Sequence, residues 1–117
     1  MDDLIAFLRA RLDEDAVVAR ATRPGPVWFA DGGTVYAGWR AAEPVADCGE
    51  SAEHIARHDP ARVLDRVEAT LRLVDRLERA CARQFPEAME TITATAALGL
   101  LALPYADHPD YRDEWRP

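Results

Sequence analysis

The chain has 117 residues with 49% hydrophobic and 30% charged side chains, ordinary proportions for one soluble globular domain that can bury a modest core without disulfides. Its formal charge is −7, and every basic residue is arginine. A chain of that sign repels phosphate backbones at long range, so a general nucleic-acid binder is not expected, although a local arginine face remains compatible with the balance.

The first predicted element is a helix over residues 3–21. Ile5, Leu8, Leu12, Ala16 and Ala19 recur at helical spacing, Asp2 or Asp3 is placed to cap it, and Arg9 is placed to meet Asp13 one turn on. Thr22-Arg23-Pro24-Gly25-Pro26 ends it. The period then changes, and residues 27–39 read as a β-hairpin turning at Asp31-Gly32-Gly33. An isolated hairpin is marginal in water, so Trp28, Phe29, Tyr36 and Trp39 are expected to lie on the first or the long helix. Residues 40–50 read as a connecting loop, and Ser51 as the cap of a short helix over 51–58.

A long central helix is predicted over 60–85. Asp59 caps it, Pro60 suits its first position, and the Phe85-Pro86 pair stops it. At about 1.5 Å per residue it is roughly 39 Å long. Leu64, Val67, Leu71, Val74, Leu77, Cys81 and Phe85 form its inner stripe. Asp65, Glu68, Arg72, Asp75, Arg76 and Arg79 lie opposite, with Glu68–Arg72 and Asp75–Arg79 spaced as acid-before-base pairs.

A third helix follows over 86–103, with Ala88, Met89, Ile92, Ala96 and Leu100 read as its inner side. Gly99 costs that helix about 1 kcal/mol relative to Ala, which predicts close packing against a neighbour there. Pro104 stops it, and the aromatic tail over 104–117 is expected to dock. The fold class is therefore α+β in one domain: three main helices, the longest central, with a small β-hairpin after the first.

The blocks His54-Ile55-Ala56-Arg57-His58-Asp59-Pro60-Ala61-Arg62-Val63-Leu64 and Leu101-Ala102-Leu103-Pro104-Tyr105-Ala106-Asp107-His108-Pro109-Asp110-Tyr111-Arg112-Asp113-Glu114-Trp115, with the opening Asp3-Leu4-Ile5-Ala6-Phe7-Leu8, resemble a family of small uncharacterised actinobacterial and phage-associated proteins, a domain of unknown function. The resemblance covers roughly half of the chain and implies no activity. It departs at Gly99, where the family pattern has an arginine, and in lacking the extra cysteines of some relatives. A cysteine-bound metal is therefore not implied for this chain.

Candidate binding residues fall in the two longer blocks: His54, Arg57, His58, Arg62, Tyr105, Asp107, His108 and Asp110. Arg57 and Arg62 are placed to pair with Asp107, Asp110 or Asp113 and pin the tail. An alternative uses His54, His58 and His108 as ligands of a divalent ion, structural or hydrolytic, since His54 and His58 share a helix face. No H-E-x-x-H pattern supports that alternative. Cys48 lies beside Asp47 and Glu50, whose charge blunts a thiol nucleophile, and Asp31-Gly32-Gly33 lacks the rest of a phosphate-binding loop. The inventory leans away from an enzyme and requires no cofactor. It favours a small cytoplasmic accessory or regulatory protein, working through a protein partner or a homodimer. The longest apolar run, residues 94–103, is too short for a membrane span, and the acidic N-terminus is unlike a secretory signal.

Overall fold

The computed structural model describes residues 1–38, 42–82 and 88–117. Among these residues four α-helices and a three-stranded antiparallel sheet make an α+β fold: α1 (Asp2–Ala21), β1 (Trp28–Asp31), β2 (Thr34–Ala37), β3 (Glu43–Asp47), α2 (Ala52–Ala56), α3 (Pro60–Cys81) and α4 (Met89–Ala102). Trp39, the expected end of the hairpin, and Phe85 and Pro86, the expected junction of the two later helices, lie outside the described residues. Two compact units can be separated, one of Met1–Asp13 with Ala69–Pro117 and one of Glu14–Glu68. Among the described residues no helix is long and apolar enough to cross a membrane.

In the first unit Leu4, Ile5, Phe7, Leu8 and Leu12 of α1 are buried, as is Val74 of α3, while Leu71, Leu77 and Cys81 are half-buried. The charged face of α3 is exposed throughout, as its period predicts. Arg9 does not turn to Asp13. Its two terminal nitrogens donate to both Glu78 carboxylate oxygens at 3.1 and 3.0 Å, and Nη2 also reaches Asp75 at 2.7 Å. A guanidinium fork matches a carboxylate in two parallel bonds, which one turn along a single helix does not provide. That contact holds the Glu78 carboxyl below its ordinary range and raises the Arg9 pKa further.

The face of α4 is the reverse of the expected one. Thr91, Ala94, Leu98, Gly99 and Ala102 are buried, whereas Met89, Ile92, Ala96 and Leu100 are exposed. The helix is apolar nearly all round, so no polar stripe marks a solvent side; small side chains instead select the face that can approach closely. The expected close contact at Gly99 is present. A Cβ there would stand 2.8 Å from the Trp115 carbonyl oxygen, inside the closest approach real side chains make.

In the second unit β1 and β2 join through Gly32 and Gly33, whose φ values of 57° and 82° suit the two-residue turn that matches strand twist. The segment expected as a loop contributes β3, with Thr34 opposite Asp47 and Val35 opposite Ala46. Pro44 obscures this strand in the sequence, because proline removes a ladder donor, but it sits on an edge strand beside a register shift, where that loss is tolerated. The sheet packs on α2. Val35, Ala52 and Ala56 form the core there, with Trp28, Val45, Cys48 and Ile55 against it. The short helix, rather than α1 or α3, is thus the host surface. Only one face of the sheet needs it: Phe29 and Tyr36, opposite one another in the register, stack on the other face with centroids 5.5 Å apart.

Candidate functional site

Among the described residues, side chains that could act on another molecule gather on the docked tail, at the start of α3 with α2 and β1 beside it, and on the outer face of α4.

The tail leaves α4 through a 3-10 turn at Leu103–Tyr105 and closes with another at Asp113–Trp115. It wraps the buried ring of Phe7, which meets Tyr105, His108, Tyr111 and Trp115 at centroid distances of 6.5, 5.6, 5.9 and 5.1 Å. The first three are edge-on and the Trp115 pair is tilted; edge-on aromatic pairs add about 0.5–1.5 kcal/mol each beyond area burial. Arg112 fastens the tail to Asp3 at 2.9 Å, and its guanidinium lies 5.4 Å from the Trp115 ring. The residues expected to clamp the tail, Arg57 and Arg62, belong to the other unit. Within that unit Arg57 binds Glu53 one turn back at 2.6 Å, the local partner that i,i+4 spacing supplies at lower entropic cost.

His108 is occupied structurally. Its Nδ1 accepts the Asp110 backbone N–H at 3.0 Å, and Arg11 Nη1 approaches both ring nitrogens. The Asp110 carboxylate stands 4.0 Å from Nδ1, while Asp107 is exposed and Tyr105 half-buried.

On α2 and the turn after it, His54 and His58 come together as their spacing requires, with ring centroids 4.5 Å apart, and His58 Nδ1 lies 2.7 Å from the His54 carbonyl oxygen. That bond satisfies a last-turn carbonyl. Among the described residues no three His, Cys, Asp or Glu side chains gather so as to hold a metal ion, so the alternative built on His54, His58 and His108 finds no ligand set there. Cys48 and Cys81 are both free.

Ser51 does not cap α2 with its side chain; the chain enters through a 3-10 turn at Gly49–Ser51. Asp59 does cap α3. Although only 3% exposed, it accepts the Arg62 N–H through Oδ1 at 2.8 Å and the Trp28 N–H through Oδ2 at 3.0 Å. The second bond ties the first residue of β1 to the start of α3, and nothing local in the sequence signals it. Beside it Trp28, Phe29, Ala30, Glu53, Ala56, Arg57 and Arg62 line an open groove of about 420 Å³.

The third place is the outer face of α4. Met89 is 74% exposed, Ile92 52%, Leu100 58% and Leu103 37%. With the exposed Ala96 they recur at steps of three and four, so they form one stripe, and none is charged. A cleft of about 360 Å³ opens beside Ala96, lined also by Met1, Leu4, Thr95, Gly99, Trp115 and Pro117. The spacing of these side chains was visible in the sequence; which way the stripe faces was not.

Over residues 1–117 the chain matches a family described as a family of unknown function (DUF6221). No curated protein and no solved structure matches it.

Proposed function

The chain belongs to the family of unknown function DUF6221, and we propose that it is an accessory protein that acts by binding another protein through the outer face of α4. The observation that carries this reading is the uncharged stripe of Met89, Ile92, Ala96, Leu100 and Leu103. Large apolar side chains scattered singly on a surface need no explanation, but a contiguous row does. Such a row at i, i+3, i+7 spacing fits a partner's apolar helix face. The cleft beside Ala96 gives one partner side chain a recess to enter. A second copy of this chain meets the same description, because the stripe brings no like charges together. The reading keeps the protein in the cytoplasm, where the thiols of Cys48 and Cys81 stay reduced.

The test places a photo-crosslinking residue at position 96 of the full chain and compares it with the same protein carrying Ile92→Glu and Leu100→Glu. Expected is one dominant crosslinked protein, identified by mass spectrometry, whose yield falls at least roughly tenfold in the double variant while circular dichroism and melting temperature hold. A crosslinking pattern unchanged by the two glutamates would remove the α4 face from the function.

A further inference from the structure

The outer edge of β1 offers backbone groups that the reading of the α4 face does not use. In an antiparallel ladder alternate residues turn their backbone groups toward the partner strand. Val27 does so, since its carbonyl accepts the Gly38 N–H at 3.0 Å, and Phe29 and Asp31 follow it in the register with β2. Trp28 and Ala30 therefore turn theirs away. The Trp28 N–H is taken by Asp59 Oδ2. Among the described residues the Trp28 carbonyl and the N–H and carbonyl of Ala30 have no partner along the edge, where β1 ends the strand order.

Proteins normally guard such an edge. The opposite edge of this sheet is guarded, because β3 carries Pro44 and a register shift. β1 has neither. Its edge faces the groove of about 420 Å³ whose far wall is Glu53, Ala56, Arg57 and Arg62. Glu53 is already paired with Arg57 at 2.6 Å. The Arg62 side chain has no hydrogen bond or ion pair to a described residue; only its backbone N–H is engaged, by Asp59. The groove thus combines backbone groups spaced for a strand with one guanidinium, that of Arg62, which has no side-chain partner among the described residues, while the Asp59 carboxylate beside it is already taken up by two backbone N–H groups.

We propose that this groove binds an extended peptide carrying an Asp or Glu side chain, which adds to β1 as a short antiparallel or parallel strand and places its carboxylate on Arg62 and Arg57. A helix cannot match the Ala30 N–H and carbonyl together, because its own backbone groups are paired within it; an extended segment can. Arg62 supplies a planar fork suited to a carboxylate, and the edge strand supplies register. Asp59 makes the site possible by holding the first residue of β1 at the helix start, so the strand edge and the arginine wall keep their spacing.

The test is an amide-resolved NMR titration of the full chain with acetyl-Val-Glu-Val-Glu-Val-amide, its Gln counterpart, and the Glu peptide N-methylated at alternate backbone nitrogens. Expected is a saturable shift of the Ala30 amide with the Glu peptide. The Gln peptide and the Arg62→Ala variant should each weaken binding about tenfold, the loss of one charge-assisted contact, and N-methylation should abolish the Ala30 shift. Arg62 is exposed, so its replacement leaves the fold intact, and the peptide variants test the site without touching the protein. A Gln peptide that binds equally well, an Ala30 amide that does not move at saturation, or Ala30 shifts that survive N-methylation would each overturn the proposal. So would inorganic phosphate producing the Arg62-dependent shifts while the Glu peptide produces none.

Discussion

Helices α3 and α4 make an instructive pair. Both carry apolar residues at helical spacing, yet every inner position expected of α3 that lies among the described residues is buried or half-buried, while the expected inner face of α4 is largely exposed. The difference is contrast. On α3, Asp65, Glu68, Arg72, Asp75, Arg76 and Arg79 mark the side that must meet water, and desolvating them would cost several kcal/mol each. On α4 only Glu90 is charged, and large apolar side chains occur on both sides. Which side turns inward is then a matter of shape. Ala94, Gly99 and Ala102 allow a close approach that Met89, Ile92 and Leu100 would prevent, and the Trp115 carbonyl occupies the space a Cβ would need at Gly99.

Two truncations on α4 give the largest effect and would break the comparison if it were misdrawn. Leu98 is fully buried, so Leu98→Ala should cost about 3 kcal/mol in urea denaturation, whereas Ile92→Ala on the outer face should stay within about 0.5 kcal/mol. Equal losses would mean the two faces are wrongly assigned.

A smaller effect sharpens the role of shape. Gly99→Ala gains about 1 kcal/mol of helix propensity but drives a methyl against a backbone carbonyl, an overpacking cost of about 1–3 kcal/mol. A net loss of about 1 kcal/mol is expected, accompanied by a change in tryptophan fluorescence as Trp115 shifts. A stabilised protein with unchanged fluorescence would show that the tail does not rest on Gly99.

The smallest effect concerns the charged side of α3. Arg9 holds the Glu78 carboxyl below its ordinary value of 4.5, so the folded state binds that proton less readily than the unfolded one. The resulting stability is fully present above the ordinary glutamate range and is lost as pH falls through the lowered folded value. Both side chains are more than a third exposed, so the contribution is modest and salt-sensitive. Melting temperature followed between pH 2 and 6 should therefore decline less steeply on the acid side in Arg9→Gln than in the parent chain. Parallel curves would mean that the bidentate contact does not persist in solution.

The candidate sites were legible to unequal degrees. Asp59 as a helix cap, the pairing of His54 with His58, and a docked aromatic tail follow from local spacing and side-chain chemistry. The hub of that tail, Phe7, was hidden inside an apolar block whose other members satisfy the helical period equally well. The host of the sheet was misjudged because α2, at five residues, carries little area by itself; its Ala52 and Ala56 suffice because they let Val35 approach. Arg57 and Arg62 line a groove beside β1, and within the tail Glu114 lies near Arg112 and Asp113 near Arg116.

What the sequence determined by itself is whatever nearest neighbours along the chain can enforce: the start of α3 at Asp59-Pro60, the glycine turn between β1 and β2, and the inward face of a helix that, like α3, carries charges opposite its apolar stripe. The tertiary structure alone decided which face of an uncharged helix is buried, which carboxylate each arginine takes, and which sheet edge is left open. Those choices depend on shape complementarity and on partners distant in sequence, such as Arg9 with Glu78 or Trp28 with Asp59, and a pattern of residue types does not carry that information.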